Sequence, residues 1–242
     1  MNTSLNKSSY DAIADEYYDS RHITSRNFDA ATIEFCHTNK YKIPISQSGL
    51  VLEVGCGKGS VNKYFNLNLD RVVQTDISLK MLRISPREES LRAIQCSAIE
   101  LPFRKESFVA VFAFLYDPYN IEKLYAELEE VLISKGVFIG TLPHFDWGSA
   151  LRDELHIDKN KTRFRKFTSS KDNDFVDFDS FLTDDDQIQH FLSVVGLRLI
   201  DTFSLVLPPY IKNISPHIEL AAKHLKKSPY DLPIVKMIVA KK

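Results

Sequence analysis

Residues 50–60, which read Leu-Val-Leu-Glu-Val-Gly-Cys-Gly-Lys-Gly-Ser, decide the fold. Leu50–Val54 is a short apolar run typical of a buried strand, and a helical candidate, Ser60–Phe65, follows the glycines. Glycine lets a ligand approach the backbone closely, and the first turn of a helix offers free N–H groups. This order of strand, glycine turn and helix predicts a ligand site at the end of the first strand.

The spacing of the glycines excludes two familiar phosphate-binding motifs. The loop reads GxGxG, whereas the dinucleotide fingerprint GxGxxG would need a glycine where Ser60 stands. A P-loop would need Ser or Thr directly after Lys58, but Gly59 intervenes and the leading glycine is missing. A glycine-rich turn without a ligand is the alternative interpretation.

A second candidate ligand residue, Asp76, closes the apolar run Val72–Thr75. An acidic residue at the end of the second strand is placed to accept both hydroxyls of an adenosine ribose. Such an aspartate can instead cap the next helix, although Ser78 is better placed for that purpose. Together with the glycine loop, Asp76 favours a nucleoside ligand.

The chain between residues 50 and 142 alternates short apolar runs with amphipathic stretches, as expected of βαβ units and a doubly wound parallel sheet. The predicted strands are Leu50–Val54, Val72–Thr75, Ala93–Cys96, Val109–Leu115 and Val137–Leu142. The predicted helices are Ser60–Phe65, Ser78–Ser85 and Asn120–Leu132. The last of these repeats apolar residues at helical spacing, which predicts one buried face.

Composition sets wider limits. The 242 residues carry a net charge of −1, which gives no global attraction to nucleic acid or to an anionic membrane. The longest apolar run, Val109–Tyr116, has eight residues, whereas a membrane-spanning helix needs about 20, so no membrane partner is expected. The start of the chain shows no secretory signal. Cys36, Cys56 and Cys96 form no CxxC pair, so we expect reduced thiols, a cytoplasmic protein and no metal site.

The flanks of this region differ from it. Residues 9–37 predict two helices, and residues 145–183 form a polar segment without strong periodicity. Such a segment inside a compact domain is typical of a lid or a binding insertion, or else is disordered. A helix near 184–195, a strand near 197–203, a possible helix near 214–226 and a final strand near 234–240 complete the chain.

Four stretches in this order resemble a known family. They are Tyr10-Asp11-Ala12-Ile13-Ala14 with Tyr17, the glycine stretch, Thr75–Ser78 with Met81-Leu82, and Ala98–Phe103 with Ser107-Phe108. Over about residues 9–142 the chain resembles a class I S-adenosylmethionine-dependent methyltransferase of the type called methyltransferase domain 11. The resemblance implies an α/β fold: a Rossmann-like, doubly wound, seven-stranded, mostly parallel sheet with helices on both faces and an antiparallel last strand.

The resemblance also implies one domain over residues 1–242. Residues 9–37 would form cap helices, 50–142 the cofactor-binding core, 145–183 a lid or substrate insertion, and 184–242 the C-terminal part of the sheet. The lid would leave the fifth strand on the side where ligands bind, and so would cover the acceptor.

The resemblance assigns twelve residues to S-adenosylmethionine. Glu53, Gly55, Gly57 and Gly59 would surround its methionine and ribose parts. Asp76 would take the ribose hydroxyls, and Ile77, Ser97 and Ala98 would border the adenine. Phe114 and Leu115 would border the sulfonium and the acceptor, and Tyr10 and Tyr17 would close over the cofactor. Two departures bear on this assignment: Ser97 stands where the family commonly has Asp, and Lys58 stands where Thr or Ser is common.

The acceptor side offers weaker signals. Tyr116-Asp117-Pro118-Tyr119 lacks one proline of the Asp/Asn-Pro-Pro-Tyr motif of amino-methylating enzymes, and Asp117 could instead cap the next helix. His144 follows the fifth strand, where loops form the site in open α/β sheets, so it is a candidate general base or an ordinary loop histidine. We expect His144 and Tyr116 to face the transferred methyl group.

The predicted function is methyl transfer from S-adenosylmethionine to an O, N or C atom of a small-molecule acceptor. One alternative is a tRNA methyltransferase, because a basic run with interleaved aromatics spans Lys159–Phe167. Another is a methyltransferase-like scaffold that has lost the cofactor, to which Ser97 and Lys58 would point. The sequence leaves the oligomeric state open.

Overall fold

The computed structural model describes residues 3–39, 45–46, 48–84, 92–158, 160–166 and 175–242. The strands are β1 (Val51–Val54), β2 (Val72–Asp76), β3 (Ala93–Gln95), β4 (Phe108–Phe114), β5 (Leu132–Pro143), β6 (Lys161–Arg165), β7 (Phe175–Asp179), β8 (Arg198–Leu205) and β9 (Val235–Lys241). The helices are α1 (Thr3–Ile13), α2 (Ile23–Asn39), α3 (Val61–Phe65), α4 (Leu79–Ile84), α5 (Glu122–Val131), α6 (Phe145–Leu155), α7 (Asp185–Val194) and α8 (Pro216–His224).

Seven strands form one sheet in the order β3-β2-β1-β4-β5-β9-β8. β1 pairs in parallel with β2 on one side and with β4 on the other, so that Val51 lies opposite both Val72 and Ala110. β9 runs antiparallel to both β5 and β8. The expected seven-stranded, doubly wound sheet with an antiparallel last strand is confirmed.

Apolar side chains cover both faces of this sheet. One core cluster includes Phe28 of α2, Trp147 of α6 and Ile218 of α8, and the other includes Leu124 of α5 and Ile188 of α7. The buried residues of α5 lie at the spacing of one helix face, as the sequence predicts. The strand after it, β5, starts directly at Leu132 and is longer than the predicted Val137–Leu142.

The segment 145–183 contains more regular structure than its polar composition indicates. Residues 145–155 form α6, and β6 and β7 pair as an antiparallel hairpin. Trp147, Ala150 and Leu151 of α6 are buried in the main core, so α6 belongs to the body of the domain and not to a lid. We call α1 together with the β6–β7 hairpin the cap. A separate small cluster made of Ile13, Ala14, Met81 and Phe178 holds the cap against α4.

The carboxyl ends of β1, β2 and β4 lie side by side, with α1 and the start of α2 next to them. Ligand sites in open α/β sheets form at this edge. Among the described residues, no helix combines the length and apolar character needed to cross a bilayer.

Candidate active site

The glycine loop after β1 turns with left-handed backbone conformations. Gly57 has φ of +55°, and a Cβ placed on it would lie 1.9 Å from the Tyr18 hydroxyl oxygen. That hydroxyl accepts a hydrogen bond of 2.9 Å from the Lys58 backbone N–H. Only glycine satisfies both the backbone conformation and this close approach. The loop is therefore in direct contact with the segment between α1 and α2.

Glu53, at the third position of β1, is fully buried. Its Oε1 accepts hydrogen bonds from the backbone N–H groups of Ser60 (2.7 Å) and Val61 (3.0 Å) at the start of α3. Its Oε2 accepts a third hydrogen bond, from the Gln74 side chain. The carboxylate thereby joins the two ends of the glycine loop and satisfies N–H groups that the helix itself leaves free.

Asp76 ends β2 with its carboxylate lining the cleft. One oxygen accepts a hydrogen bond of 2.9 Å from the Gly57 N–H and the other a bond of 2.8 Å from the Ser78 N–H. Burial raises the pKa of this carboxyl, and the two N–H donors oppose that shift. The N-cap of α4 is Ser78, whose Oγ accepts a hydrogen bond from the Met81 N–H, so Asp76 does not serve as the cap.

A cleft of about 1160 Å³, which includes the space open to solvent at its mouth, runs along these strand ends. Eleven of the twelve residues assigned to the cofactor line it: Tyr10, Tyr17, Glu53, Gly55, Gly57, Gly59, Asp76, Ile77, Ala98, Phe114 and Leu115. Ser97 does not line it. Its backbone bridges Glu100, and its Oγ accepts a hydrogen bond of 3.4 Å from the Ile99 N–H. The sequence therefore locates the cleft but misplaces one residue.

Tyrosines cover the cleft from the cap side. Tyr10 packs on Phe178 of β7 with ring centroids 4.8 Å apart, and Tyr17 packs on Tyr18 at 5.0 Å. Burial raises the pKa of Tyr10 and of Tyr17 far above the ordinary value for a phenol. Both phenols therefore stay protonated at neutral pH and do not act as bases.

Two hydrogen bonds hold α1 in place over the cleft. Ser78 Oγ, next to Asp76, donates to the Asp11 carboxylate at 2.6 Å. Ser9 Oγ donates to the Asp177 carbonyl of β7 at 3.2 Å. Among the described residues, none between 145 and 183 lines the cleft. The described strands of the hairpin therefore contribute by supporting α1 from behind. The expectation that residues 145–183 cover the acceptor is not met by their described residues, and residues 159 and 167–174 lie outside the part of the chain that the structure describes.

One wall of the cleft consists of residues that were not predicted from the sequence. Arg26 and Asp29 of α2, Lys63 and Tyr64 of α3, and Tyr18 all line it. Asp29 accepts hydrogen bonds from Lys63 Nζ (2.9 Å) and from the Tyr64 hydroxyl (2.6 Å). The pair Tyr17-Tyr18 was a visible signal, but the sequence could not say which ring faces the glycine loop. Nothing in the pattern of α2 marks Arg26 or Asp29 as facing a ligand.

Tyr116 lines the cleft, and its hydroxyl is hydrogen-bonded to another buried tyrosine. The Tyr125 hydroxyl donates to Asn120 Oδ1 at 2.7 Å, so Tyr116 must donate its own proton to Tyr125, 2.9 Å away. Burial also raises the pKa of Tyr116. Tyr116 therefore shapes the cleft and does not exchange a proton there. The preceding residue, Leu115, has φ of +50° and donates its N–H to Thr141 Oγ1 at 3.0 Å.

Asp117 does not cap α5, which corrects one interpretation of the sequence. It opens a 3-10 turn, Asp117–Tyr119, and its carboxylate is buried. It accepts a hydrogen bond of 2.5 Å from Ser180 Oγ, which in turn accepts one of 2.8 Å from Arg152. Burial raises the pKa of Asp117 to about 6, and the Ser180 hydroxyl and the Arg152 guanidinium limit this rise. The turn that borders the cleft is thus anchored to α6 and to the end of the hairpin.

His144 lies outside the lining of the cleft, so the expectation that it faces the methyl group is wrong. It is the N-cap of α6: its Nδ1 accepts a hydrogen bond of 3.3 Å from the Asp146 N–H. The proton must then be on Nε2, which donates to Ser204 Oγ, 3.1 Å away. Burial lowers the pKa of His144, so the ring is neutral at pH 7. Both nitrogens are used to hold the end of β5.

The described residues contain no group of three or more His, Cys, Asp or Glu that could hold a metal ion. The three cysteines are free thiols. The cleft fits a nucleoside cofactor on two observations. A Cβ on Gly55 would meet nothing within 4 Å, and Asp76, a buried acidic residue, lines the cleft.

Comparisons with known proteins agree with this fold and cleft. The methyltransferase domain family model matches residues 52–140. An uncharacterized protein of Methanocaldococcus jannaschii is 25% identical over 201 residues, which cover 75% of this chain and 78% of that protein.

Two solved structures share the fold at low identity. One is a proposed S-adenosylmethionine dependent methyltransferase from Listeria monocytogenes. It superposes with a TM-score of 0.64 at 18% sequence identity, and the match covers 90% of this chain and 99% of that chain. The other is the complex between the Haloferax volcanii Trm112 methyltransferase activator and a proposed methyltransferase. The match has a TM-score of 0.66 at 14% sequence identity and covers 96% of each chain.

The glycine loop and Asp76 lie inside the matched range, and the seven-stranded sheet extends beyond it. The alternative of a scaffold without cofactor is not retained. Residues 52–140 therefore match the methyltransferase domain family, and the chain as a whole has the Rossmann-like fold of S-adenosylmethionine-dependent methyltransferases.

Proposed function

We propose that this enzyme methylates a small molecule, which binds in the cleft between the glycine loop and the cap. The observation that carries the proposal is the aromatic lining of the cleft. Seven aromatic side chains line it: Tyr10, Tyr17, Tyr18, Tyr64, Phe114, Tyr116 and Tyr119. A concave site with a mostly apolar lining and a few polar groups is typical of small-molecule sites.

The cofactor side of the cleft is assigned residue by residue. Asp76 would accept the ribose hydroxyls, and Ile77 and Ala98 would border the adenine. Gly55 would leave room for the methionine and ribose parts, and Gly57 and Gly59 would border them. The role of Glu53 is to hold the loop in shape, because its carboxylate already accepts three hydrogen bonds from the protein.

Catalysis in this site rests on orientation. The bound cofactor supplies a methyl group that its positive sulfur already activates. The protein holds the acceptor close to that group and keeps water out, which lowers the barrier by proximity. Neither Tyr116 nor His144 offers a free basic atom to the cleft. We therefore propose an acceptor atom that carries a lone pair at neutral pH and needs no strong base.

The cofactor assignment is tested by calorimetry with S-adenosylhomocysteine. Wild-type protein should bind it with an affinity in the micromolar range and should not bind NADH. Asp76→Ala should weaken binding about 10- to 150-fold, because hydrogen bonds to a charged group contribute about 1.5–3 kcal/mol. The matched control is Asp70→Ala, an exposed aspartate just before the other end of β2. Equal affinities of Asp76→Ala and wild type for S-adenosylhomocysteine would show that Asp76 does not bind the cofactor.

The acceptor class is tested with tritium-labelled S-adenosylmethionine. The enzyme is incubated in parallel with total tRNA and with the small-molecule filtrate of a cell extract. Transfer of label into the filtrate alone supports the proposal. Label in tRNA, with binding that weakens steeply as salt rises, would favour the tRNA alternative instead. The expected site of action is the cytoplasm, in keeping with three free thiols.

A further inference from the structure

The turn after β4, residues 115–119, borders the cleft with four side chains: Leu115, Tyr116, Pro118 and Tyr119. The remaining residue, Asp117, is buried and does not belong to that lining. Leu115 has φ of +50°, a left-handed conformation that leucine rarely adopts. Strained backbone of this kind persists only where the surrounding structure holds it, and it clusters at active sites. The shape of the turn therefore depends on its neighbours.

Asp117 is held twice by the segment that follows β7. Its carboxylate accepts a hydrogen bond of 2.5 Å from Ser180 Oγ, and its carbonyl oxygen accepts one of 3.1 Å from the Phe181 N–H. The Ser180 hydroxyl oxygen in turn accepts a hydrogen bond of 2.8 Å from Arg152 Nη2. Asp117, Ser180 and Arg152 are all buried, and we call these three side chains the anchor network.

The anchor network contributes more to geometry than to stability. The charges of Asp117 and Arg152 are both removed from water, and this cost offsets most of their mutual attraction. Hydrogen bonds to charged groups are nevertheless short and directional, so a hydroxyl between a carboxylate and a guanidinium has one preferred arrangement. The network is therefore suited to hold the turn after β4 in a single conformation.

The strand that leads to Ser180 also holds the cap. The Asp177 carbonyl accepts the hydrogen bond of Ser9 Oγ, and Phe178 packs on the ring of Tyr10. One short stretch, residues 177–180, thus contacts α1 with its first residues and the turn after β4 with its last. A displacement of this stretch would move both walls of the cleft.

We propose that Asp117 and Ser180 are positioning residues for methyl transfer. Neither lines the cleft; the hydrogen bond between them holds Tyr116 and Tyr119 where these rings orient the acceptor toward the transferred methyl group. Proximity and orientation carry the catalysis in this site, and a misplacement of about 1 Å can lower a rate about 100-fold. The proposal rests on the proposed function, because it requires an acceptor in the cleft.

The first experiment separates turnover from cofactor binding. Ser180→Ala and Asp117→Ala remove the hydrogen bond, whereas Asp117→Asn retains an acceptor for it. The matched control is Ser215→Ala, which removes an equally buried hydroxyl at the start of α8, outside the cleft lining. Thermal melting verifies that each variant is folded. Label transfer from tritiated S-adenosylmethionine is measured over a dilution series of the small-molecule filtrate, and calorimetry gives the affinity for S-adenosylhomocysteine.

Ser180→Ala and Asp117→Ala should lower the maximal rate of label transfer about 10- to 100-fold and leave the affinity for S-adenosylhomocysteine unchanged. Asp117→Asn should keep most of the rate, and Ser215→Ala should keep all of it. The proposal is overturned if folded Ser180→Ala transfers label at the wild-type rate. It is also overturned if cofactor affinity falls as far as the rate, or if Ser215→Ala lowers the rate equally.

The second readout needs no acceptor. The protein is produced with 3-fluorotyrosine, and the fluorine NMR signals of Tyr116, Tyr119 and Tyr230 are assigned by single substitutions to phenylalanine. Ser180→Ala should shift the signals of Tyr116 and Tyr119 and leave that of Tyr230, which bonds to the Ile211 carbonyl outside the cleft lining. Unshifted signals of both cleft tyrosines would overturn the proposal. If wild type labels nothing in the filtrate, the proposed function has failed, and these signals still decide whether Ser180 holds the turn.

Discussion

The two sides of the cleft are built in different ways. On the glycine-loop side, the contacts join residues close in sequence: Glu53 reaches Ser60, and Asp76 reaches Gly57. On the cap side, Ser9 bonds to Asp177 and Tyr10 packs on Phe178, which are contacts between opposite parts of the chain. The first side is a continuation of the main sheet, whereas the second has its own small cluster of apolar residues. The glycine-loop side of the cleft thus shares the core of the main sheet, whereas the cap side packs around its own small cluster.

The strongest test of this difference compares two phenylalanines. Phe112 of β4 is fully buried in the main core, and Phe178 of β7 is buried in the cap cluster. Phe112→Ala should lower the free energy of unfolding by about 3–5 kcal/mol, as large-to-small core substitutions do. Phe178→Ala should lower the free energy of unfolding by less, because Phe178 stabilises only the packing of the cap against the body. Denaturant unfolding measures both.

Hydrogen exchange supplies the second readout for the same pair. Phe178→Ala should speed the exchange of α1 and of the hairpin and leave β1 and β4 protected. If Phe178→Ala destabilises the whole molecule as much as Phe112→Ala does, the cap is part of the main cooperative unit, and the distinction between the two sides fails.

A pH-dependent test examines how the cap end is fixed to the body. Burial raises the pKa of Asp117 to about 6, above the ordinary value for an aspartate, so the folded state binds the proton more tightly than the unfolded state. The contribution of Asp117 to the free energy of unfolding is therefore greatest at low pH, and it falls as the pH rises from about 4 to about 6. The pKa difference corresponds to about 2–3 kcal/mol.

Asp117→Asn removes this dependence and can still accept the Ser180 hydrogen bond. The variant and wild type should be similarly stable near pH 4, and by pH 7 the variant should be the more stable by about 2–3 kcal/mol. Urea unfolding at several pH values measures the difference. Parallel pH profiles for the two proteins would mean that Asp117 titrates with its ordinary pKa.

The contact between the two sides is tested by a double-mutant cycle. Gly57→Ala introduces strain at a positive φ and collides with the Tyr18 hydroxyl, so it should cost about 1–2 kcal/mol or more. Tyr18→Phe alone should cost about 0.5–1.5 kcal/mol through the lost hydrogen bond to the Lys58 N–H. The double variant should be more stable than the sum of the two costs predicts, because the collision is gone. Additive costs would show that the two residues do not touch in solution.

The smallest expected effect concerns His144. His144→Ala should lower stability by about 1 kcal/mol through loss of an N-cap and should leave the affinity for S-adenosylhomocysteine unchanged. His144→Asn, which can still cap, should restore most of the stability. A large loss of cofactor affinity in either variant would show that His144 contributes to the cleft.

The sequence predicted the glycine-loop side because its physics is local. A glycine turn between a strand and a helix fixes where Gly57 and Glu53 lie, and Asp76 follows from the end of the next strand. The seven-stranded, doubly wound sheet with its antiparallel last strand came from the resemblance, and the structure agrees.

The cap side and the acceptor candidates could not be predicted in the same way. Tyr18, Arg26 and Lys63 become neighbours only when α2 and α3 pack beside the loop, and no periodicity in either segment encodes that contact. His144 was misassigned for a related reason. A histidine after a strand can serve the site or cap the next helix, and the sequence did not reveal that α6 starts directly behind it.

The turn after β4 has a consequence for efforts to change which acceptor this enzyme uses. Leu115–Tyr119 borders the cleft, yet it is held by side chains that do not line it. Thr141 binds the Leu115 N–H, Ser180 and Arg152 hold Asp117, and Thr183 holds Asn120 just behind the turn. A mutant library confined to the cleft lining would leave these supporting hydrogen bonds unchanged. Libraries that vary Thr141, Ser180 and Thr183 should reshape the cleft without introducing any new group into it.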